Sequence, residues 1–272
     1  MAVSMADITK LRKMTGAGMM DCKNALTEAE GDFDKAMEII RKKGQAVAAK
    51  RSDREASEGC VLAKTTGDFA VIIALKCETD FVAQNADFVA ATNAILDIAV
   101  EADAADLDAL LAVVKDGKTV AEIVTEKSGQ TGEKVELAYY GKIEAPMCVT
   151  YIHMNSKLGT LIGFNKEIDK EVAKDVAMQA AAMAPVSIDK GDCDPKIIEH
   201  ERMIGREQAR QEGKPEAMLD KIAEGKVNKF LKENTLLNQD LVKNNKISVG
   251  TYIKEADKDA TVIAYKRFSL ND

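Results

Sequence analysis

The chain has no tryptophan, and aromatic residues make up only 4% of its 272 residues. Few rings are therefore available for stacking on bases or sugars. Alanine and methionine are plentiful instead, and 46% of the residues are apolar. This mixture favours helices that pack closely through small side chains, and the length indicates two or three packed units.

Closely spaced cysteines are also lacking. No two of the five stand closer than seventeen positions: Cys22, Cys60, Cys77, Cys148 and Cys193. No Cys-x-x-Cys pair exists, which argues against a zinc knuckle and against a redox dithiol. We expect reduced thiols that behave as small apolar side chains in a reducing compartment.

Long apolar runs are absent as well. The N-terminus has no apolar stretch behind a basic leader, and no run reaches the roughly eighteen apolar residues that a membrane helix needs. We therefore expect a cytoplasmic protein with no export signal and no membrane span.

Positive charge is scarce over most of the chain. The net charge is −7, but residues 1–54 hold eleven Lys and Arg against eight Asp and Glu, whereas the remainder holds 27 against 37. A nucleic-acid binder needs a dense cationic face, and the main body lacks the composition for one. The basic stretch from Arg41 to Arg54 is interpreted as a solvated helix end and linker, so no direct nucleic-acid contact is expected.

Catalytic motifs are missing too. There is no phosphate-binding loop, and Gly16-Ala17-Gly18 lacks both the third glycine and the preceding strand of a dinucleotide fingerprint. The two histidines, His153 and His200, show no sign of a triad, and the acidic residues are not grouped as metal ligands. We predict a binding protein rather than an enzyme, with no cofactor and no metal of its own.

The first 54 residues predict three short helices. Ser4 and Asp7 resemble a capping box, and apolar residues then recur at helical spacing. Turns at 15–18 and 31–32 separate this helix from two others, whose apolar positions are Cys22, Ala25, Leu26, Phe33, Ala36, Met37 and Ile40. Residues 45–57 have no apolar stripe and are interpreted as a linker, with a partly helical conformation left open.

Strands are predicted from Gly59 onward. Two apolar runs flank Thr66-Gly67-Asp68, which predicts a hairpin, and the second run is apolar on both faces, as inside a sheet. Helical spacing returns from about Asp87 and recurs over 107–114 and 120–124. A second strand-rich stretch covers 135–143, 147–153 and 160–164 and precedes a helix over 169–184. Residues 59–129 and 135–184 thus each pair strands with helices.

Residues 194–233 are almost wholly helical and highly charged, with one break at Gly213-Lys214-Pro215. So short a turn favours an antiparallel hairpin over two separately packed surface helices. One more helix is predicted over 248–256 and a final strand over 261–268. The predicted class is α+β, with a three-helix domain and linker (1–54), a core N-subdomain (55–140) and a core C-subdomain (141–272).

The segment Thr79-Asp80-Phe81-Val82 is unusual because a buried strand normally ends in turn residues. In one interpretation Phe81 belongs to the core and Asp80 caps the next helix. In the other, Phe81 projects from the end of the sheet and anchors in a partner's pocket. Spacing alone favours the first.

Two stretches resemble the signatures of the bacterial elongation factor Ts family: residues 11–26 (LRKMTGAGMMDCKNAL) and residues 77–83 (CETDFVA). They stand about as far apart as in that family, and the order of elements resembles it from end to end. The resemblance implies a guanine-nucleotide exchange factor for elongation factor Tu. Such a factor binds the GDP complex, displaces Mg²⁺ and promotes GDP release so that GTP can bind.

The resemblance also implies roles for particular residues. The N-terminal unit would be ubiquitin-associated-like, and Arg12, Met19 and Met20 would contact a helix of the partner's GTPase domain. The segment formed by Thr79, Asp80, Phe81 and Val82 would enter beside the partner's Mg²⁺ and phosphate site, with Phe81 as a wedge. His153 with Leu158 and Gly159 resembles the edge that reaches the partner's third domain. The charged hairpin corresponds to a coiled-coil protrusion.

The sequence departs from the family at a few places. Ala74, Lys76 and Gln84 stand where acidic, Asn-like and basic residues are expected around the second signature. The chain also stops soon after Phe268, whereas some relatives carry a further C-terminal helix, so that contact is expected to be missing. The alternative function is an interaction scaffold that uses the ubiquitin-associated-like domain, and a homodimer is left open.

Overall fold

The structure is a computed structural model that describes residues 3–271. Within that range the helices are α1 (Met5–Thr15), α2 (Met19–Glu28), α3 (Phe33–Lys50), α4 (Asp80–Ala83), α5 (Ala86–Ala102), α6 (Leu107–Ala112), α7 (Val120–Thr131), α8 (Lys170–Met183), α9 (Pro195–Gln211), α10 (Glu216–Asn234) and α11 (Val249–Ala256). The strands are β1 (Glu58–Thr65), β2 (Phe69–Cys77), β3 (Val114–Lys115), β4 (Lys118–Thr119), β5 (Glu136–Glu144), β6 (Met147–Ile152), β7 (Leu158–Phe164), β8 (Asp240–Leu241), β9 (Asn244–Ser248) and β10 (Val262–Ser269). This mixture confirms the predicted α+β class.

The three predicted N-terminal helices are present as α1, α2 and α3. The Ser4 hydroxyl accepts a hydrogen bond from the Asp7 amide at 3.1 Å, and the Asp7 carboxylate accepts one from the Ser4 amide at 3.3 Å, so the predicted capping box is confirmed. Gly16 ends α1 with a φ of 67°, a left-handed conformation that glycine adopts without steric cost. The three helices enclose a small core of their own around the buried side chains of Leu11, Cys22 and Leu26.

The first part of the predicted linker at 45–57 is helical, because α3 continues to Lys50. Residues 45–50 are rich in alanine, which favours helix. Just before them, α3 packs on α7 through glycine rather than through a large side chain. A Cβ atom added to Gly129 of α7 would lie only 2.4 Å from the Cα atom of Gly44 in α3.

The first sheet is antiparallel, with strand order β1-β2-β5, so the predicted hairpin and the predicted interior position of β2 are confirmed. Val71, Ile73 and Leu75 of β2 face α5, α6 and α7, whereas Ile72 and Ala74 face the second sheet. The strand is apolar on both faces because it lies between a helical layer and another sheet.

The second sheet has strand order β10-β7-β6, and α8 and α11 cover its outer face. The expected grouping of 135–184 is therefore wrong in one respect: the strand at 136–144, β5, pairs with β2 of the first sheet. The predicted boundary between residues 140 and 141 falls inside this strand. The second sheet is completed instead by the C-terminal strand β10, which pairs with β7.

Helices α9 and α10 pack against each other as the predicted antiparallel hairpin. Their ion pairs run in opposite directions along the two helices: Arg202 with Glu224, Arg206 with Asp220, and Arg210 with Glu216. Gly205 and Ala223 allow close approach, since a Cβ atom on Gly205 would lie 3.2 Å from the Cα atom of Ala223. A small apolar cluster around Val227 and Leu231 joins the hairpin to Cys193.

Two short hairpins escaped the sequence analysis. Val114, expected at a helical position, lies in β3 and pairs with Thr119 of β4 across a turn formed by Asp116 and Gly117. Both turn residues have positive φ angles, 51° and 79°, as the tightest hairpin turns require. The second hairpin joins β8 to β9. Across residues 3–271, no helix has the length and apolar character that crossing a membrane demands.

Candidate functional site

The segment Thr79–Val82 begins where the buried strand β2 ends. The chain leaves the sheet at Glu78, and Thr79 adopts an extended conformation as the N-cap of α4, with its hydroxyl accepting from the Val82 amide at 3.4 Å. The interpretation in which Asp80 caps the following helix is therefore wrong. Asp80 is instead the first residue of α4 and is exposed.

Phe81 points into solvent, with 86% of its surface exposed. The two residues after it face the other way: Val82 packs on the core of the first sheet, and Ala83 is buried there. Because the ring remains in solvent, it contributes no burial free energy to folding. The packing of α4 on the core does not require a large side chain at this position. The interpretation of Phe81 as a core residue is thus wrong, and the ring is available for a partner.

A network of carboxylates holds the start of this segment. Glu133, in the loop between α7 and β5, accepts the Glu78 and Thr79 amides on Oε2 at 3.0 Å each and the Thr79 hydroxyl on Oε1 at 2.6 Å. Glu78 accepts the Lys134 amide at 2.6 Å and the Arg51 guanidinium at 2.8 Å. The Lys134 amide and the Arg51 cation hold the pKa of the Glu78 carboxyl below its usual value.

Sequence reasoning missed Glu133 and Glu78. Their contacts join residues more than fifty positions apart. Glu78 lies in the 77–83 signature but was given no role there, and Glu133 lies in no pattern that marks a site. Arg51 at the end of α3 also reaches Glu78, so the network ties the three-helix unit to the sheet beside Phe81.

The predicted contact residues of the three-helix unit lie on its surface. Arg12 of α1 and Met19 and Met20 of α2 are exposed, Met20 by 64%. The structure adds Met14, which is also exposed and which sequence reasoning did not select. Arg12, Met14 and Met19 line a cleft that continues to Val82 of α4. Arg12, Met14 and Met19 therefore border the same opening as Val82, the last residue of the Thr79–Val82 segment.

The third predicted group, His153 with Leu158 and Gly159, divides into one exposed residue and two that are not. His153 is exposed, and its Nδ1 atom lies 3.0 Å from the Tyr151 hydroxyl. Leu158 is half-buried. Gly159 is buried, and an added Cβ atom would lie 2.7 Å from Cδ1 of Ile152. Only His153 offers a side chain to a partner.

The turn after His153 lies at the same end of the first sheet as α4. The residues of this turn, 154–156, contact β1, and so does α4. Lys157 forms an ion pair of 2.6 Å with Glu58, the first residue of β1. The Thr79–Val82 segment and the turn after His153 thus lie at one end of β1 and β2, although they come from distant parts of the chain.

Groups suited to covalent or metal chemistry do not gather at this site. Within the described residues, no three His, Cys, Asp or Glu side chains are placed to hold one metal ion. All five cysteines are buried and free, in agreement with their predicted role as small apolar residues. Burial raises the pKa of the Cys77 thiol, two residues before Thr79, to about 12.

Comparison with known proteins gives consistent matches. The family model described as Elongation factor TS matches residues 78–272, a span that includes the Thr79–Val82 segment and Glu133. The elongation factor Ts of Porphyromonas gingivalis is 53% identical over 272 residues, which cover 100% of this chain and 99% of that protein. That of Azobacteroides pseudotrichonymphae is 52% identical with the same coverage. That of Bacteroides thetaiotaomicron is 47% identical, and the alignment covers 99% of each chain.

Proposed function

The chain belongs to the elongation factor Ts family, and from that premise we propose that it acts in translation elongation as the guanine-nucleotide exchange factor of elongation factor Tu. It binds the GDP complex in the cytoplasm and promotes GDP release so that GTP can bind. The observation that carries this proposal is Phe81, a large apolar ring exposed by 86% just after a largely buried strand.

In the proposed mechanism the exposed end of the first sheet enters the partner beside its Mg²⁺ and phosphate site. Phe81 inserts between partner side chains, and Asp80 lies next to it. The two displace Mg²⁺ and loosen GDP. The chain itself supplies shape and one carboxylate and makes or breaks no covalent bond, so the protein acts as a binding factor rather than an enzyme.

Two further surfaces contribute affinity for the partner in this proposal. Arg12, Met19 and Met20 contact a helix of the partner's GTPase domain, and the cleft that leads from them to Val82 gives that helix room beside the Thr79–Val82 segment. His153 reaches the partner's third domain. Leu158 and Gly159 support it from within, because Gly159 lets β7 pack closely against Ile152 and Ile72.

Release of GDP from elongation factor Tu tests the proposal directly. Elongation factor Tu is loaded with a fluorescent GDP analogue, and the release rate is followed as this protein is added in the presence of excess GDP. The wild-type chain should accelerate release, and Phe81→Ala should abolish most of the acceleration. Ile263→Ala, which truncates another exposed apolar residue on β10, is the matched control and should behave as wild type.

The outcome separates exchange from the alternative function. An interaction scaffold would bind elongation factor Tu or another protein and leave the release rate untouched. A wild-type chain without effect on release would therefore reject the exchange function. An effect that survives Phe81→Ala would retain exchange and reject the wedge.

A further inference from the structure

The direction in which Phe81 points depends on a carboxylate that the exchange mechanism does not include. We propose that Glu133 is a positioning residue that fixes the Thr79–Val82 segment in the orientation needed for nucleotide release. This role rests on the proposed exchange function and adds a residue to it.

Glu133 uses both carboxylate oxygens on two consecutive residues. One oxygen accepts the amides of Glu78 and Thr79, and the other accepts the Thr79 hydroxyl. Three charge-assisted hydrogen bonds to adjacent groups fix both the peptide plane between Glu78 and Thr79 and the rotamer of Thr79. Glu133 therefore makes three of the hydrogen bonds that hold the point where the chain turns out of the sheet.

The hydrogen bond to the Thr79 hydroxyl carries this constraint into α4. Because the hydroxyl donates to Glu133, its lone pairs are free to accept from the Val82 amide, which is the cap of α4. Phe81 is the second residue of that helix. A single hydrogen bond, from the Val82 amide to the Thr79 hydroxyl, thus links the residues held by Glu133 to the turn that carries the exposed ring.

Glu133 is itself held on a rigid support. The Ser128 hydroxyl accepts from the Val135 amide at 2.9 Å, which closes the loop between α7 and β5, and both residues are buried. The Lys134 amide donates to the Glu78 carboxylate in return. The two segments therefore hold each other through reciprocal bonds from side chain to backbone.

Such support matters because α4 cannot hold its own shape. A helix of four residues is far below the length at which helices are stable alone. The Phe81 ring makes no buried contact that would fix its direction, so its orientation depends on the N-cap and on the packing of Val82 and Ala83. A segment fixed before binding loses less conformational entropy when it enters a partner.

The change Glu133→Gln tests this role. Glutamine keeps the size of the side chain but replaces one acceptor oxygen with an amide donor, so it cannot accept from both amides and the hydroxyl. Glu136→Gln is the matched control, because Glu136 lies three residues further on and pairs with Lys134 rather than with the Thr79 turn. Phe81→Ala is measured in parallel.

For each variant the GDP release rate is measured over a range of protein concentrations, which gives a plateau rate and a half-saturation concentration. Thermal unfolding is recorded as well. For Glu133→Gln we expect a plateau about tenfold lower, equivalent to about 1.4 kcal/mol, with a half-saturation concentration within about twofold of wild type. Glu136→Gln should leave both values unchanged.

The split between the two values separates positioning from a purely structural role. If Glu133 only stabilised the fold, Glu133→Gln would reduce the folded fraction, which raises the half-saturation concentration and leaves the plateau intact. That result, or a wild-type plateau, would overturn the proposal. A low plateau for Phe81→Ala together with a normal plateau for Glu133→Gln would reject the positioning role of Glu133 and keep the exchange function. A wild-type chain that fails to accelerate release would reject both.

Discussion

His153 and Gly159 stand six positions apart, and the structure gives them opposite environments. Gly159 is buried, and a methyl group there would lie 2.7 Å from Ile152 and 2.8 Å from Ile72. Overpacking of this kind typically costs about 1–3 kcal/mol. We expect Gly159→Ala to lower the free energy of unfolding by about 1–2 kcal/mol in urea titrations. Unchanged stability would show that the two sheets can separate locally at little cost.

For His153→Ala we expect nearly unchanged stability but a lower affinity for the partner. The ring is exposed and its recorded contact is with the Tyr151 hydroxyl, so its loss should change the free energy of unfolding by less than about 0.5 kcal/mol. If the ring contacts elongation factor Tu, the affinity measured by calorimetry should fall. Tyr151→Phe, which removes only the hydroxyl that faces His153, tests whether the orientation of the ring matters. An unaltered affinity for His153→Ala would remove this edge from the proposed interface.

At the scale of the elements, the contact between α3 and α7 decides where the three-helix unit sits. Gly44 and Gly129 are in backbone contact, the Gln130 amide donates to the Thr15 carbonyl at 2.6 Å, and Arg41 lies 3.8 Å from Glu122. Both ends of this contact are rigid helices. Its geometry therefore fixes the distance between the surface that carries Arg12 and the segment that carries Phe81.

Gly129→Ala should disturb that distance. The new Cβ atom would lie 2.4 Å from the Cα atom of Gly44, so the helices must separate. We expect a higher half-saturation concentration in GDP release with a nearly normal plateau rate, because affinity for the partner falls while the Phe81 segment stays intact. Gly225→Ala is the control, since that helical glycine in α10 has no neighbour within 4 Å and alanine there should be neutral or slightly stabilising. Equal behaviour of the two variants would refute a role for the glycine contact.

The elements also show which features a single sequence reveals. The capping box at Ser4 and the hairpin at 66–68 depend on residues close in the chain, and both were predicted correctly. The pairing of β5 with β2 was not, because strand partners 60 to 75 positions apart leave no local pattern. The last turns of α3, from residue 45 to Lys50, have no apolar stripe and were therefore assigned to the linker. Glu133 could not be found at all, since its role depends on hydrogen bonds formed only in the fold.

For the whole molecule, exchange requires that the protein bind nucleotide-free elongation factor Tu more tightly than the GDP complex. Shifting a two-state balance from 1:99 to 99:1 needs about 5.5 kcal/mol of differential binding. Burial of one phenylalanine side chain supplies roughly 1.5–3 kcal/mol. Phe81 alone is therefore insufficient, and the rest must come from surfaces whose contacts change between the two states of the partner.

This argument predicts how affinity ratios respond to substitution. The ratio of the dissociation constants for the GDP-bound and nucleotide-free partner should be about 10⁴ for the wild-type chain. Phe81→Ala should reduce that ratio by about 10–100-fold, because the ring contributes mainly in the nucleotide-free state. Arg12→Ala should weaken both complexes and keep the ratio, since its contact is made in either state. Calorimetry with and without GDP measures all six dissociation constants. If Phe81→Ala weakened both complexes equally, the ring would be a simple anchor, and the differential energy would have to come from the remaining interface.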